Sequence, residues 1–223
     1  MLKICSLAAA VCLLGAVAHA DTVAVVNFDN LPTGPSLFGS AGPAQTITPI
    51  AGVATFSGGV ILGDATNLPG LIFATPPNAY GTAGFADSLS STLTITIDPS
   101  FTADEVSFAL LNGATIAESY VVDAFHGGTL VGTQTFSNLS TNLDSGFGLA
   151  DILASDITSV TITPVALSDP TVGGWDFFID SVAFNESINQ EINPTPEPSS
   201  FLLLGTGLLG AAAQLYRRSR GVA

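Results

Sequence analysis

The distribution of charge is the feature that most constrains how this chain can fold. Lys and Arg occur four times, and none of them lies between positions 21 and 216, whereas all 18 acidic residues fall inside that interval. A domain built from this segment cannot form Lys or Arg ion pairs. Each buried carboxylate must therefore be held by backbone N–H groups, hydroxyls, His126 or a bound cation. The imbalance also excludes nucleic acid as a partner, because Lys and Arg contacts to phosphate dominate its binding.

The segment from residue 21 to residue 188 has the composition of an all-β domain. Short runs of Val, Ile, Thr and Phe alternate with Gly, Pro, Asn and Ser, which is typical of strands joined by turns. In Thr92–Ile97, Leu93, Ile95 and Ile97 share one face. The predicted strands are Thr22–Phe28, Gln45–Pro49, Val53–Leu62, Gly70–Ala74, Ser91–Asp98, Glu105–Leu111, Ser119–Phe125, Thr129–Phe136, Gly146–Ala150, Ile157–Pro164 and Trp175–Asn185.

These strands predict a single jelly-roll-like β-sandwich, since no long helical period, internal repeat or mid-chain break interrupts them. One helical turn is predicted at Asp151–Ala154. The sequence Phe125-His126-Gly127-Gly128-Thr129 predicts a hairpin, because the two glycines supply positive φ.

The residue inventory argues against an enzyme. Beyond residue 20 the chain has one histidine, His126, and no cysteine, which excludes a His/Cys zinc site and a cysteine nucleophile. His126 lies in a predicted turn, outside any G-x-S-x-G context. A glycan hydrolase needs two carboxylates flanking a cleft, and the odd spacing of Glu118 and Asp123 places them on opposite faces of a strand. We therefore expect a non-enzymatic protein, with a secreted glycan hydrolase as the weaker alternative.

The first 20 residues predict a signal peptide. Lys3 supplies the positive n-region, Ile4–Val17 the apolar region, and Ala18-His19-Ala20 a cleavage site before Asp21. The pattern implies export through the inner membrane and cleavage by signal peptidase.

The C-terminal segment predicts a membrane tether with three parts. Pro196-Glu197-Pro198 holds the backbone extended, after a linker at 189–195. An apolar transmembrane helix is predicted over residues 199–216, which is short for a full span. Arg217, Arg218 and Arg220 then form a stop-transfer cluster on the cytoplasmic side.

This order of parts, within residues 196–220, resembles the PEP-CTERM sorting signal of Gram-negative bacteria that make exopolysaccharide. The resemblance implies recognition and cleavage by an exosortase, a membrane-embedded protease. It further implies transient anchoring by the C-terminal helix, followed by a final location at the cell surface or outside the cell.

The two ends of the predicted domain bear a second resemblance. The sequences Phe28-Asp29-Asn30-Leu31-Pro32 and Phe178–Phe184 resemble the first and last strands of jelly-roll ectodomains found on such signals, which are similar to carbohydrate-binding modules. The resemblance implies that these strands lie side by side and that their carboxylates hold a structural Ca²⁺. The matching residues are Asp29, Asp176 and Asp180; Ser181 stands where the commoner pattern has a second acid.

Two functions remain open for such an exported module. In the first, the sandwich associates with exopolysaccharide, and Tyr80 and Trp175 are the candidate sugar-stacking residues. Tyr80 is predicted to lie in the loop Pro76–Gly81. In the second, the module is a structural matrix component that self-associates through open sheet edges.

Overall fold

The computed structural model describes residues 22–34, 43–63, 75, 77–84, 89–141, 147–166 and 176–188. The predicted signal peptide, the linker, the sorting signal and the helix at 199–216 lie outside these residues. Within the described ranges, no helix is long and apolar enough to cross a membrane. The chain divides into two units, Met1–Ile188 and Asn189–Ala223.

The described part of the first unit is a β-sandwich of eleven strands. They are β1 (Ala24–Val26), β2 (Gln45–Ile50), β3 (Ala54–Gly63), β4 (Asn78–Ala83), β5 (Leu93–Ile97), β6 (Glu105–Asn112), β7 (Glu118–His126), β8 (Thr129–Leu139), β9 (Phe147–Leu153), β10 (Ser159–Pro164) and β11 (Asp176–Phe184). The predicted all-β sandwich is confirmed, and every pairing is antiparallel.

The strands form one continuous hydrogen-bonded order, β8-β7-β10-β5-β3-β4-β11-β6-β9. We call sheet A the part made of β1, β11, β4, β6, β9 and the second half of β3. Sheet B contains β2, the first half of β3, β5, β10, β7 and β8. Strand β1 joins at β11 and β2 at β3.

Strand β3 passes from one sheet to the other at Gly58 and Gly59. Residues Ala54–Ser57 pair with β5 in sheet B, and Val60–Gly63 pair with β4 in sheet A. Gly58 has φ +99°, and a Cβ there would collide with the Thr92 carbonyl oxygen. Glycine is therefore required where the strand bends between the sheets.

Two apolar clusters fill the described part of the domain. The larger lies between the sheets and contains Phe56, Ile95, Phe108, Val160 and Phe177. The smaller contains Val60, Leu62 and Phe178 of sheet A, covered by Leu89 and Ile188 from the segments after β4 and β11. Sheet A is thus buried on both faces around β4 and β11.

Strands β1 and β11, the first and last of the described strands, pair directly. Ala24 lies opposite Phe184, and Val26 lies opposite Val182. This matches the side-by-side placement that the resemblance to jelly-roll ectodomains implied. The pairing fixes both ends of the domain in sheet A.

The two ends of the strand order meet at a seam between β8 and β9. The Gln134 side chain bridges the seam, because its Nε2 donates to the Leu149 carbonyl oxygen at 3.1 Å. Its Oε1 accepts from the Asp151 N–H at 2.9 Å. The Gln134 amide therefore hydrogen-bonds the backbone of β9 as a peptide group of a neighbouring strand would. It partly covers the two edge strands.

Three local predictions can be compared with the structure. Residues 78–81, expected to belong to a loop, lie in strand β4 in the centre of sheet A. The helical turn expected at Asp151–Ala154 is wrong, because Phe147–Leu153 continues as strand β9 paired with β6. The hairpin is confirmed: Gly127 (φ +53°) and Gly128 (φ +86°) form its two-residue turn. The strand predicted at 70–74 lies outside the described residues.

Candidate functional site

A cleft of about 710 Å³ opens where sheet B meets the loop after β5 and the turn before β10. Its volume falls within the range of small-molecule binding sites. The lining residues are Thr94, Thr96, Ile97, Asp98, Pro99, Phe101, Thr102, Ala103, His126, Asp156, Ile157, Thr158 and Ser159. Hydroxyl groups, two carboxylates, an imidazole and an aromatic ring therefore meet at one site.

One wall is the turn that follows β5. The N–H and the hydroxyl of Ser100 donate to Asp98 Oδ1 at 2.9 and 2.6 Å. The bond from the Ser100 hydroxyl, and to a smaller extent the bond from its N–H, lowers the pKa of the exposed Asp98 carboxyl. Asp98 is therefore ionised at neutral pH. The half-buried Phe101 ring packs edge-on against Phe184, with the centroids 6.0 Å apart. The turn thus holds a carboxylate and an aromatic edge beside the cleft.

The opposite wall is formed by the turn at residues 156–158 and the end of β7. His126 Nδ1 lies 2.7 Å from the Asp156 carbonyl oxygen. A carbonyl can only accept, so Nδ1 carries a hydrogen and donates it to this oxygen. Asp156 adopts φ +54°, and its N–H donates to Asp104 Oδ1 at 2.8 Å. His126 is exposed and is the last residue of β7, directly before the turn.

Sheet B supplies the hydroxyl groups between these walls. Ser159 lies directly opposite Thr96 in the pairing of β10 with β5. Thr94 is two residues before Thr96 and therefore lies on the same face of β5. The intervening Ile95 and the facing Val160 point into the core. The alternation of each strand therefore fixes which side chains the cleft can offer to a ligand.

The cleft can bind polar molecules. Its hydroxyl groups, the ionised Asp98 and the His126 ring can hydrogen-bond the hydroxyl groups of a sugar, while Phe101 offers an apolar surface.

The carboxyl pKa values that are strongly raised belong to residues outside the cleft lining. Burial, a hydrogen bond with Asp151 and the charges of Asp151 and Glu186 raise the pKa of Glu105 to about 6. These residues lie where β6 pairs with β9 and in the segment after β11. Glu118 is buried while Asp123 is half-buried, in agreement with their predicted opposite faces.

Tyr80 is not a surface aromatic, and the loop placement predicted for it is wrong. It lies fully buried on β4, where its hydroxyl accepts from the Gly59 N–H at 2.9 Å. The same hydroxyl donates to the Gln45 carbonyl oxygen at 2.7 Å. Burial raises the pKa of Tyr80 to about 12. The residue ties β4 to the crossing point of β3, so its ring cannot stack on a sugar.

The predicted metal residues do not form one group. Asp29 and Asp180 interact electrostatically, while Asp176 lies beside Gly113, whose added Cβ would be 2.7 Å from its carboxylate. In the part of the chain that the structure describes, no group of three His, Cys, Asp or Glu side chains is arranged to hold a metal ion. Trp175 lies outside the described residues.

Asp180 is held by hydrogen-bond donors. The Thr75 N–H donates to Oδ2 at 2.6 Å, the Thr75 hydroxyl to Oδ1 at 2.9 Å, and the Ser181 N–H to Oδ1 at 2.7 Å. Burial outweighs these bonds and raises the pKa of Asp180 to about 6, with a further contribution from Asp29. These three hydrogen bonds use most of the acceptor positions of the carboxylate, which has about four.

The cleft residues were not predicted from the sequence, although one signal pointed to them. In Thr92–Ile97 the alternation identifies the buried face, and Thr94 and Thr96 on the other face line the cleft. The same Thr-Ile-Thr pattern recurs at 46–48 and 161–163. Asp98 and Phe101 had no comparable signal, because the chain brings them to the cleft through a turn.

Comparison with known proteins confirms the sorting signal. Residues 194–218 match the PEP-CTERM protein-sorting motif, which covers Pro196, Glu197, Pro198, Arg217 and Arg218. The chain therefore carries the signal of a protein that is exported and sorted to the cell surface. A search of curated proteins finds no significant match.

Several solved structures are similar to this chain at low sequence identity. One is the K1 cleaved adhesin domain of Lys-gingipain from Porphyromonas gingivalis W83 (13% identity, 73% of this chain, 97% of that chain, TM-score 0.40). Another is a DUF4465 family protein from Bacteroides caccae ATCC 43185 (8% identity, 74% of this chain, 99% of that chain, TM-score 0.47). A third is CBM51 from Clostridium perfringens GH95 in complex with methyl-galactose (10% identity, 72% of this chain, 99% of that chain, TM-score 0.34).

Proposed function

We propose that this protein is an exported surface module that binds exopolysaccharide in the cleft beside sheet B without cleaving it. The observation that carries the proposal is the composition of the cleft. It brings together the hydroxyls of Thr94, Thr96 and Ser159, the ionised Asp98 and the half-buried Phe101. Polar groups that fix orientation beside an apolar surface are the usual components of a sugar site.

The sorting signal supports a location where such a ligand is present. A protein exported to the cell surface meets extracellular polysaccharide as soon as it leaves the membrane. We further propose that an exosortase cleaves near Pro196-Glu197-Pro198 after the C-terminal helix has anchored the protein transiently. A mass spectrum of the mature protein from cells with and without exosortase tests this step: an unchanged C-terminus would contradict it.

The binding proposal is tested with the protein secreted by its own cells. We expect polysaccharide from the same culture to retain the wild-type protein, and Phe101→Ala to weaken retention about two- to twelvefold, because an aromatic contact contributes about 0.5–1.5 kcal/mol. Ser137→Ala, on the exposed face of β8 outside the cleft, is the matched control.

Two outcomes would contradict the binding proposal. In the first, the polysaccharide retains the Phe101→Ala and Ser137→Ala variants equally, which would mean that the cleft does not bind the polysaccharide. In the second, the wild-type protein releases new reducing ends from the polysaccharide, which would show hydrolysis rather than binding.

A second candidate function is self-association in the matrix. The outward positions of β9 expose Phe147, Leu149 and Leu153, the last at 71% of its surface. Exposed apolar side chains on a sheet edge favour contact with another chain. Analytical ultracentrifugation tests it: we expect a concentration-dependent dimer that Leu153→Asp abolishes, and a monomer at every concentration would contradict it.

A further inference from the structure

The outer face of sheet B carries two rows of hydroxyl groups that run across its strands. In the first row, Ser159 lies opposite Thr96, Thr96 opposite Thr55, and the Thr55 hydroxyl contacts the Thr48 hydroxyl at 3.0 Å. In the second row, Thr161 lies opposite Thr94, and Thr94 lies opposite Ser57. Every one of these positions is exposed or half-buried.

The core fixes the direction of these side chains. Phe56, Ile95 and Val160 alternate with the row residues along β3, β5 and β10, and all three are fully buried between the sheets. Because successive side chains of a strand point to opposite faces, the hydroxyls are directed away from the core. We call the two rows together the hydroxyl track.

The track is continuous with the cleft and carries little charge. Thr94, Thr96 and Ser159 belong to both. The second row continues past Thr161 to Asp123 on β7 and from there to Thr133 on β8. A single carboxylate therefore stands among the hydroxyls of these two rows, and no Lys or Arg lies between positions 21 and 216.

We propose that the track binds a neutral polysaccharide chain that crosses the strands, with one end of its bound stretch in the cleft. This inference rests on the proposed function and names the class of its ligand. Neighbouring strands lie about 4.8 Å apart, so the first row extends over roughly 14 Å. One strand spacing is close to the length that one pyranose unit adds to a chain, so each row presents about one hydroxyl per sugar unit.

Charge and shape both limit the ligand. An anionic polymer would bring its carboxylates beside Asp98 and Asp123 in a domain that has no Lys or Arg to compensate them. Antiparallel sheets twist by roughly 20–25° per strand, so four strands do not present a flat surface. A single flexible chain can follow such a twist, whereas the flat face of a crystalline polymer cannot.

The experiment uses the secreted protein and a panel of neutral gluco-, manno- and galacto-oligosaccharides, each as a disaccharide and a hexasaccharide, with hexagalacturonate as the anionic probe. We expect the hexasaccharide that binds to do so at least tenfold more tightly than its disaccharide. Thr48→Val/Thr55→Val, at the end of the track outside the cleft, should weaken hexasaccharide binding about tenfold and leave disaccharide binding unchanged. Thr135→Val, exposed on β8 outside both rows, is the control.

The outcomes separate the track from the cleft. Equal affinity for the two lengths, no effect of the double variant, or hexagalacturonate binding as tight as the neutral chain would overturn the track, while cleft binding of the disaccharide would stand. If no neutral oligosaccharide binds, or if Phe101→Ala leaves disaccharide binding intact, the proposed function fails and the track fails with it.

Discussion

Strands β4 and β11 of sheet A are buried at every residue, whereas β5 and β10 of sheet B are fully buried only at alternate residues. The polar side chains of β4 and β11 must find partners inside the protein, as Tyr80 and Asp180 do. Those of β5 and β10 can face solvent or a ligand. The comparison teaches that polar residues support the fold in sheet A and are available for binding in sheet B.

The largest expected difference concerns aromatic residues. Phe178→Ala, on β11, removes a fully buried ring from the second apolar cluster, so we expect the free energy of unfolding to fall by about 3–5 kcal/mol. Phe147→Ala, at a position 49% exposed, should cost less than about 1 kcal/mol. Urea denaturation measures both. Equal losses would mean that β11 is not covered on both faces.

The raised pKa of Asp180 predicts that the free energy of unfolding decreases as the pH rises. Burial raises its folded-state pKa from 3.8 to about 6, so the folded protein binds the proton more tightly than the unfolded chain. The contribution of Asp180 to the free energy of unfolding is fully present below pH 4 and is lost as the pH rises through about 6. It is on the order of 2–3 kcal/mol in total. The raised pKa of Asp29 acts in the same direction.

The measurement is the free energy of unfolding between pH 4 and pH 7, for the wild type and for Asp180→Asn. The variant should show a smaller decrease over this interval, because its side chain cannot ionise. We also expect EDTA to leave the melting temperature of the wild type unchanged. A clear decrease with EDTA, reversed by Ca²⁺, would show that the carboxylates bind the ion after all.

Tyr80→Phe removes one oxygen atom from the centre of sheet A. The Gly59 N–H and the Gln45 carbonyl then lose their hydroxyl partner, and each group deprived of a hydrogen bond in the interior costs about 1–3 kcal/mol. Gly59 is buried and carries this cost in full, whereas Gln45 is half-buried, so water can reach its carbonyl. We expect a loss of about 1–3 kcal/mol, measured by denaturation, with polysaccharide binding retained. If binding is lost while stability is kept, Tyr80 acts in recognition.

The smallest expected effects on stability come from a Thr→Val substitution made once in each sheet. Thr82 is fully buried, and its hydroxyl donates to the Ser90 carbonyl oxygen at 2.6 Å, so Thr82→Val should destabilise the protein by about 1–3 kcal/mol. Thr96→Val, on the exposed face of β5, should stay within about 0.5 kcal/mol. Thermal melting of the two variants decides whether the sheets differ as described.

Much of the fold could be predicted from local patterns. The alternation in Thr92–Ile97 predicted both strand β5 and its buried face, and Gly127-Gly128 predicted the hairpin. Strand β4 was missed because Asn78–Ala83 has small residues, and long-range pairing with β3 and β11 decides its conformation. The cleft was missed for a related reason: residues from β5, β7 and β10 meet only after the sheet has formed.

The sequence by itself determined the charge of the domain, the alternation of its strands and the sorting signal, because composition, side-chain period and short motifs are local properties. The tertiary structure decided which faces are covered. An alternating strand shows that one face is apolar, but only the second apolar cluster on sheet A removes the other face of β4 and β11 from solvent. For this reason Tyr80 and Asp180 are internal, while Thr94 and Thr96 line the cleft.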